Sequence, residues 1–181
     1  MNNTLKVRDR DTILDISYED MIKYHGRFFI GGVAMAFKAL EMAFDMLASG
    51  EIPDREQISF LTGLGLAGMG VIDGVEMVTR ARSRNKINTD IRLVKGRPAP
   101  DAPNGGKYYF EVEYGNRAIG LAIKDGLIPE KFISLSRKAF DGPLSEDEAT
   151  ELQQLKEKLA AILMSKETKD LFTVVFLKTN P

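Results

Sequence analysis

The sequence predicts an α+β fold, because helix patterns and strand patterns occupy separate stretches of the chain. Three observations carry this prediction: a long apolar helix pattern over residues 30–48, an alternating hairpin pattern over residues 107–124, and an amphipathic helix pattern after the hairpin. The 181 residues are 44% hydrophobic and have a formal net charge of −1, which fits one compact domain. We expect residues 1–181 to form this domain, with residues 1–16 as an N-terminal extension and residues 125–181 as C-terminal helices and a tail.

The first two helix patterns lie close together. Ser17 and Asp20 are spaced as in a capping box, which predicts a short helix that ends before Gly26. The pattern over residues 30–48 is apolar on nearly every side, and its charges form one narrow stripe. Such a helix must be covered from several directions, so we place it centrally and expect part of it to contact a second copy of the chain in a homodimer.

A strand, a glycine-rich turn and a third helix are predicted next. "QISFLT", residues 57–62, has the composition of a short strand, and "GLGLAGMG", residues 63–70, follows it as a turn. The apolar residues between positions 71 and 78 have helical spacing. We expect the last turn of this helix to carry three arginines, a charge that the helix dipole favours there: Arg80, Arg82 and Arg84.

The second half of the chain starts with strands. "TDIRLV", residues 89–94, predicts a strand, and the Pro, Gly, Asn and Asp content of residues 95–106 predicts a loop. "KYYFEVEY" and "RAIGLAIK", separated by "GN", predict a β-hairpin. A short helix follows over residues 129–138.

The C-terminal region begins at a second capping box. Ser145 and Glu148 precede leucines at helical spacing, which predicts an amphipathic helix. "LFTVVFLK", residues 171–178, predicts a short strand or an extended tail.

Composition excludes several kinds of site. The chain has no cysteine, so it contains no disulfide, thiolate nucleophile or iron–sulfur cluster. The single histidine would need carboxylates or a second copy of the chain to hold a metal, and we expect neither a metal nor a cofactor. No stretch approaches ~18 uninterrupted apolar residues, and the N-terminus is polar, so we expect a cytoplasmic protein that does not bind a membrane. Near-zero net charge gives no reason to expect nucleic-acid binding.

The glycine turn matches a dinucleotide-binding fingerprint. Gly63, Gly65 and Gly68 have G-x-G-x-x-G spacing between a predicted strand and helix, and Asp90 stands at a suitable distance for a ribose contact. Against this interpretation, the strand follows the buried helix and does not open a βαβ unit, and Asp90 would begin the next strand instead of ending it. The rest of the chain supplies a hairpin where a dinucleotide-binding fold needs more βα pairs. The other interpretation is that the glycines allow a close approach to the long helix. A nucleotide- or phosphate-binding module using residues 63–70 therefore stays an alternative.

His25 has two interpretations. It would act as a general base with Asp73 or Tyr24 assisting, or it would hydrogen-bond a backbone carbonyl between two helices. The basic run that begins at Arg80 would hold an anionic group of a ligand, or would be a solvated helix end.

A family resemblance extends over about residues 17–175. "YHGRFFIGGVAMAFKALEMAF" is similar to the HGHxCPG segment and alanine-rich helix of the FmdE-like family, whose named member accompanies the enzyme formylmethanofuran dehydrogenase. "GVIDGVEMVTRARSRNKI", the hairpin and "LMSKETKDLFTV" resemble later segments of this family. The resemblance implies an α-β-α-β-β-β core with additional helices.

The departures from this family predict a changed pocket. His25 keeps the first motif position, but Arg27 and Phe29 replace the second His and the Cys, Ile30 replaces the Pro, and Gly70 replaces the downstream Cys. A phenyl ring removes a ligand, and a guanidinium repels a cation. The resemblance therefore implies an accessory or small-ligand-binding protein that has lost its metal site and takes an anionic or apolar ligand. The predicted pocket residues are Tyr24, His25, Gly26, Arg27, Phe29, Gly68, Gly70, Asp73 and Arg80.

Overall fold

The computed structural model describes residues 3–179 and has an α+β architecture. Its strands are β1 (Thr4–Asp9), β2 (Thr12–Ser17), β3 (Ile58–Thr62), β4 (Ile87–Asn88), β5 (Tyr109–Tyr114), β6 (Arg117–Ile123) and β7 (Phe172–Lys178). Its α-helices are α1 (Tyr18–His25), α2 (Ile30–Leu47), α3 (Met69–Thr79), α4 (Glu130–Asp141), α5 (Glu146–Ser165) and α6 (Thr168–Leu171). No helix within residues 3–179 has the length and apolarity that crossing a membrane requires.

The main sheet has the strand order β4-β3-β5-β6-β7. β3 pairs in parallel with the two-residue β4, and its other neighbour β5 is antiparallel, as are the remaining pairs. Since side chains alternate across a strand, Phe110 and Val112 contribute to the main core, whereas Tyr109 belongs to a smaller cluster with Val94 and Ala122. One face of the sheet therefore packs against the α-helices, and Val94, from the segment after β4, packs on the other face.

The long helix α2 is at the centre, as its apolar pattern predicted. It contacts α1, α3, α5 and α6 as well as β1, β5 and β6. Even Lys38 is buried, where its Nζ pairs with Glu41 at 2.8 Å. Since the chain itself covers most of this helix, the reason for assigning a dimer contact to α2 disappears. The homodimer itself stays a prediction.

Both capping boxes are confirmed. The Ser17 hydroxyl accepts from the Asp20 amide at the start of α1, and the Ser145 hydroxyl accepts from the Glu148 amide at the start of α5. The hairpin β5–β6 and its two-residue turn are also confirmed. The chain after α5 contains both the short helix α6 and the strand β7, which pairs with β6.

The strand predicted over residues 89–94 is wrong. The pairing ends with β4 at Asn88, and Ile91–Val94 form a 3-10 helix. The Asp90 carboxylate accepts from the Arg92 amide and starts this turn. A local side-chain bond of this kind competes with strand pairing.

The third helix ends earlier than predicted. α3 stops at Thr79, because Arg80 adopts a left-handed backbone conformation with φ 56°. The Glu76 carboxylate accepts from the amides of Arg82 and Ser83, which holds the chain after the helix in a turn. Arg82 and Arg84 therefore lie beyond the helix.

The N-terminal extension contains an antiparallel hairpin, β1–β2, which was not predicted from the sequence. Residues 1 and 2 of this extension lie outside the described residues. The two-residue turn uses Arg10, with φ 56°, and lacks the glycine or asparagine that usually signals a hairpin.

Candidate ligand-binding cavity

A cavity of about 520 Å³ lies among the starts of α2 and α3, the helices α4 and α5, and the loop before β5. This volume is within the usual range for small-molecule sites, roughly 300–1,000 Å³. Most of the lining is apolar, and neither Asp, Glu, Arg nor His contributes to it in the described part of the chain. The main apolar side chains of the lining are Phe29, Met35, Leu64, Phe132, Leu152 and Leu159.

Aromatic side chains at the cavity are open to solvent. Phe28 is 63% exposed and Phe140 is 57% exposed, and both contribute to the lining. Phe28 stacks edge-on against Phe29, with ring centroids 4.7 Å apart. Exposed aromatic rings beside a concave apolar surface are typical of a binding site rather than of a completed core.

Lys156 supplies the only full charge in the described lining. It is 7% exposed, and its Nζ lies 3.8 Å from the ring centroid of Phe28 and 4.7 Å from that of Phe29. Burial lowers the pKa of the Lys156 ammonium, while the two rings favour its charged form. Among residues 3–179, no carboxylate lies within ion-pair distance of this Nζ.

Two helices begin at the cavity without a capping side chain. α2 starts after Phe29 and α3 starts after Gly68, and neither residue accepts a side-chain hydrogen bond from the first turn. Neither first turn contains an acidic residue. At α2 the Ile30 and Gly32 amides donate to the carbonyl oxygens of Arg27 and Phe29, at 3.3 and 2.9 Å, whereas the Gly31 amide has no acceptor among the described residues.

Glycines allow these two helix starts to approach closely. A Cβ on Gly70 would overlap the carbonyl oxygen of Phe29, and a Cβ on Gly32 would lie 3.0 Å from the Val71 amide nitrogen. A Cβ on Gly74 would lie 2.8 Å from that of Ala36, one turn further along. At Gly70 the overlap is with backbone, so only glycine fits there without a shift of the helices.

The structure brings His25 and Asp73 together. The Nδ1 of His25 lies 2.8 Å from Asp73 Oδ2, and the other oxygen of Asp73 accepts from Arg82 at 3.1 Å. An ionised carboxylate only accepts, so Nδ1 is the donor in this hydrogen bond, and Nε2 is an acceptor in the neutral form of the ring. Nε2 is enclosed and has no hydrogen-bond partner among the described residues. The His25 side chain is 6% exposed and is not part of the cavity lining.

The predicted pocket residues separate into two groups. Phe29, Gly68 and Gly70 line the cavity, as predicted. The others do not: Tyr24, His25, Gly26, Arg27, Asp73 and Arg80.

Arg27 and Arg80 were predicted to line the pocket, and neither of them lines the cavity. The Arg27 guanidinium pairs with Glu157 at 2.6 Å on the surface, which raises the pKa of Arg27 through this hydrogen bond and charge. Arg80 is exposed beyond α3. Tyr24 is 54% exposed, and Gly26 ends α1 with φ 87°. The positive charge at the cavity therefore comes from Lys156 and not from either arginine.

The glycine turn has features for and against nucleotide binding. β3, α3 and β4 form a short parallel crossover, and Asp90 follows β4, so two of the arguments against the fingerprint were wrong. However, a Cβ on Gly63 would lie 2.5 Å from the Lys107 carbonyl oxygen, so this glycine is packed against the chain. Asp90 is engaged by Arg92 at 2.7 Å, and this hydrogen bond lowers the pKa of Asp90 to about 2.

No group of three or more His, Cys, Asp or Glu side chains within residues 3–179 is placed to hold a metal ion. His25 and Asp73 are the pair that a metal would have to use, and their hydrogen bond occupies Nδ1. The described residues thus offer at most an incomplete ligand set at this position.

Lys156, Phe28 and most of the contribution of α4 were not predicted from the sequence. A signal for Lys156 was present: it lies four residues after Leu152 and three before Leu159, on the face of α5 that is otherwise apolar. A lysine on the apolar face of a helix is either a side chain that extends to solvent or a buried charge, and only the contacts of that face distinguish the two.

Neither the family models nor the curated proteins that were compared with this chain contain a match to it. The resemblance to the FmdE-like family therefore stays a prediction.

Proposed function

We propose that this protein binds a small, largely apolar molecule in the cavity at the starts of α2 and α3, and that it acts as an accessory or carrier protein with no metal at His25. The cavity is the observation that carries the proposal. Burying apolar ligand surface there is favourable by roughly 25 cal/mol for each Å² removed from water. The exposed rings of Phe28 and Phe140 would also lose contact with water when a ligand is bound.

The test is a fluorescence titration with the neutral apolar probe N-phenyl-1-naphthylamine. We expect saturable binding to the wild-type protein and a large loss of binding on Ser136→Trp, because Ser136 lines the cavity and an indole would fill it. Ser134→Trp is the matched control, since Ser134 is exposed on the same helix α4 and does not line the cavity. Equal binding by both variants, or no binding by the wild type, would contradict the proposal.

A second candidate is an enzyme that uses His25 as a general base. The hydrogen bond from His25 to Asp73 at 2.8 Å favours it, because a carboxylate at Nδ1 fixes the tautomer with a basic Nε2. The enclosure of Nε2 argues against it, because a substrate must reach this atom.

Diethyl pyrocarbonate distinguishes these cases, since the chain has one histidine. We expect His25 to resist modification in the folded protein and to react in urea, followed by the absorbance at 240 nm. Rapid modification of the folded protein would instead favour the base. A nucleotide-binding module is tested separately by thermal unfolding with NAD, FAD or ATP, each of which would raise Tm if it bound.

A further inference from the structure

We infer that the cavity recognises one carboxylate group of an otherwise apolar molecule, at a position where Lys156 meets the uncapped starts of α2 and α3. This inference rests on the proposed function and names the chemical class of its ligand.

The charge of Lys156 lacks a partner. The side chain is more than nine-tenths buried in the cavity lining, and no carboxylate among residues 3–179 pairs with it. The ammonium nitrogen itself is not fully enclosed, so it is open to the cavity or to water, and two aromatic rings contact it. A ligand carboxylate would supply the missing acceptor through a charge-assisted hydrogen bond.

The two helix starts add hydrogen-bond donors to the same cavity. The amides of Gly31 and Gly70 belong to the first turns of α2 and α3, and both glycines line the cavity. Neither amide donates a hydrogen bond to another described residue. Each helix start carries a partial positive charge of roughly half a unit, and unpaired amides at such positions bind anions.

The mostly apolar lining favours a carboxylate over a more highly charged anion. Lys156 is the one full positive charge in the lining that the structure describes, because the nearby Arg27 is paired with Glu157. With the two helix starts the positive charge approaches two units, so charge alone fits a carboxylate or a phosphate monoester, which carries nearly two negative charges. The carboxylate is favoured because removing a second negative charge from water into a mostly apolar lining costs more. Most of the remaining lining is apolar, although Asn104, Tyr108 and Ser136 also contribute, so we expect the remainder of the ligand to be largely apolar.

The experiment is a calorimetric titration with three probes that share one alkyl chain: decanoate, 1-decanol and decyl phosphate. We expect wild-type protein to bind decanoate about 10- to 100-fold more tightly than 1-decanol, the usual range for one hydrogen bond to a charged group. Lys156→Met should remove this difference and leave 1-decanol binding in place. Lys158→Met is the matched control, because Lys158 is exposed on the same helix, and it should behave like the wild type.

The outcomes separate the inference from the proposed function. Equal wild-type affinity for decanoate and 1-decanol would overturn the carboxylate site and leave apolar binding intact. Tighter binding of decyl phosphate than of decanoate would overturn the assignment of a carboxylate. Failure of all three probes and of N-phenyl-1-naphthylamine would overturn the proposed function itself. The comparison of probes on wild-type protein decides the inference even if Lys156→Met does not fold.

Discussion

At the scale of single residues, the close crossing of α2 and α3 depends on glycines, which have no side chain. Gly70 meets the backbone of Phe29, and Gly32 meets that of Val71. The sequence allowed two interpretations of the glycines near α3, a phosphate cradle and a close approach to the long helix. The packing of Gly70 against Phe29 agrees with a close approach of the turn to the long helix. The start of α3 also has no capping side chain, so its amides are compatible with an anion contact.

Gly70→Ala should destabilise the fold by the upper part of the roughly 1–3 kcal/mol typical of overpacking, because the new methyl group would overlap the Phe29 carbonyl oxygen. Urea denaturation followed by circular dichroism measures this change. Gly142→Ala is the control, since a Cβ there has nothing within 4 Å and its φ of 169° is extended backbone. An unchanged denaturation midpoint for Gly70→Ala would contradict the close crossing of α2 and α3.

The pair of His25 and Asp73 shows what residue types alone could indicate. The sequence named both as candidates, separated by 48 positions, and the structure places them 2.8 Å apart. Their distance depends on how α1 packs on α3, which no local pattern encodes. Lys156 illustrates the opposite case, since its position on an apolar helix face was visible and its burial was not.

At the scale of elements, the sequence predicted most helices and the hairpin because their signals are local. Capping boxes, apolar spacing and a two-residue turn act within a few residues, and α1, α5 and β5–β6 follow them. The predicted strand over residues 89–94 failed because the Asp90 side chain starts a turn there. The parallel pairing of β4 with β3 is a long-range contact, so the sequence offered no comparable signal for it.

Ser145→Ala should lower the free energy of unfolding by about 0.5–2 kcal/mol, because the Ser145 hydroxyl accepts from the Glu148 amide at the start of α5. Thermal unfolding would show the loss as a lower Tm. Thr150→Ala is the control: Thr150 is exposed inside the same helix, where alanine has the higher helix propensity. A Tm for Ser145→Ala at or above that of the wild type would contradict the cap.

At the scale of the whole molecule, one core is assembled around α2, with a smaller cluster across the sheet. The chain covers most of α2, and exposed positions such as Met46 are what this helix could offer to a homodimer. Sedimentation velocity would establish the oligomeric state. A dimer that persists in Met46→Glu, at an exposed position of α2, would place its interface away from this helix.

The stability of the folded protein should depend on pH through three of the five tyrosines. Burial raises the pKa of Tyr18, Tyr108 and Tyr109 well above the ordinary value of about 10. Because these pKa values are raised in the folded state, their contribution to stability is complete below pH ~10 and is lost as the pH rises further. We expect these three to ionise only as the protein unfolds, with absorbance at 295 nm and far-ultraviolet circular dichroism changing together. Ionisation of all five with an unchanged circular dichroism signal would contradict their burial.

The sequence by itself determined the fold class, the central position of the long helix, and the bounds of the helices whose caps and apolar spacing are local. It also limited the chemistry, since a chain with no cysteine and one histidine has few metal ligands. Tertiary structure alone decided that Lys156 is buried at a cavity, that Arg27 is neutralised by Glu157, and that His25 reaches Asp73. The physical reason is that burial and charge pairing depend on which segments pack together, and these segments lie far apart along the chain.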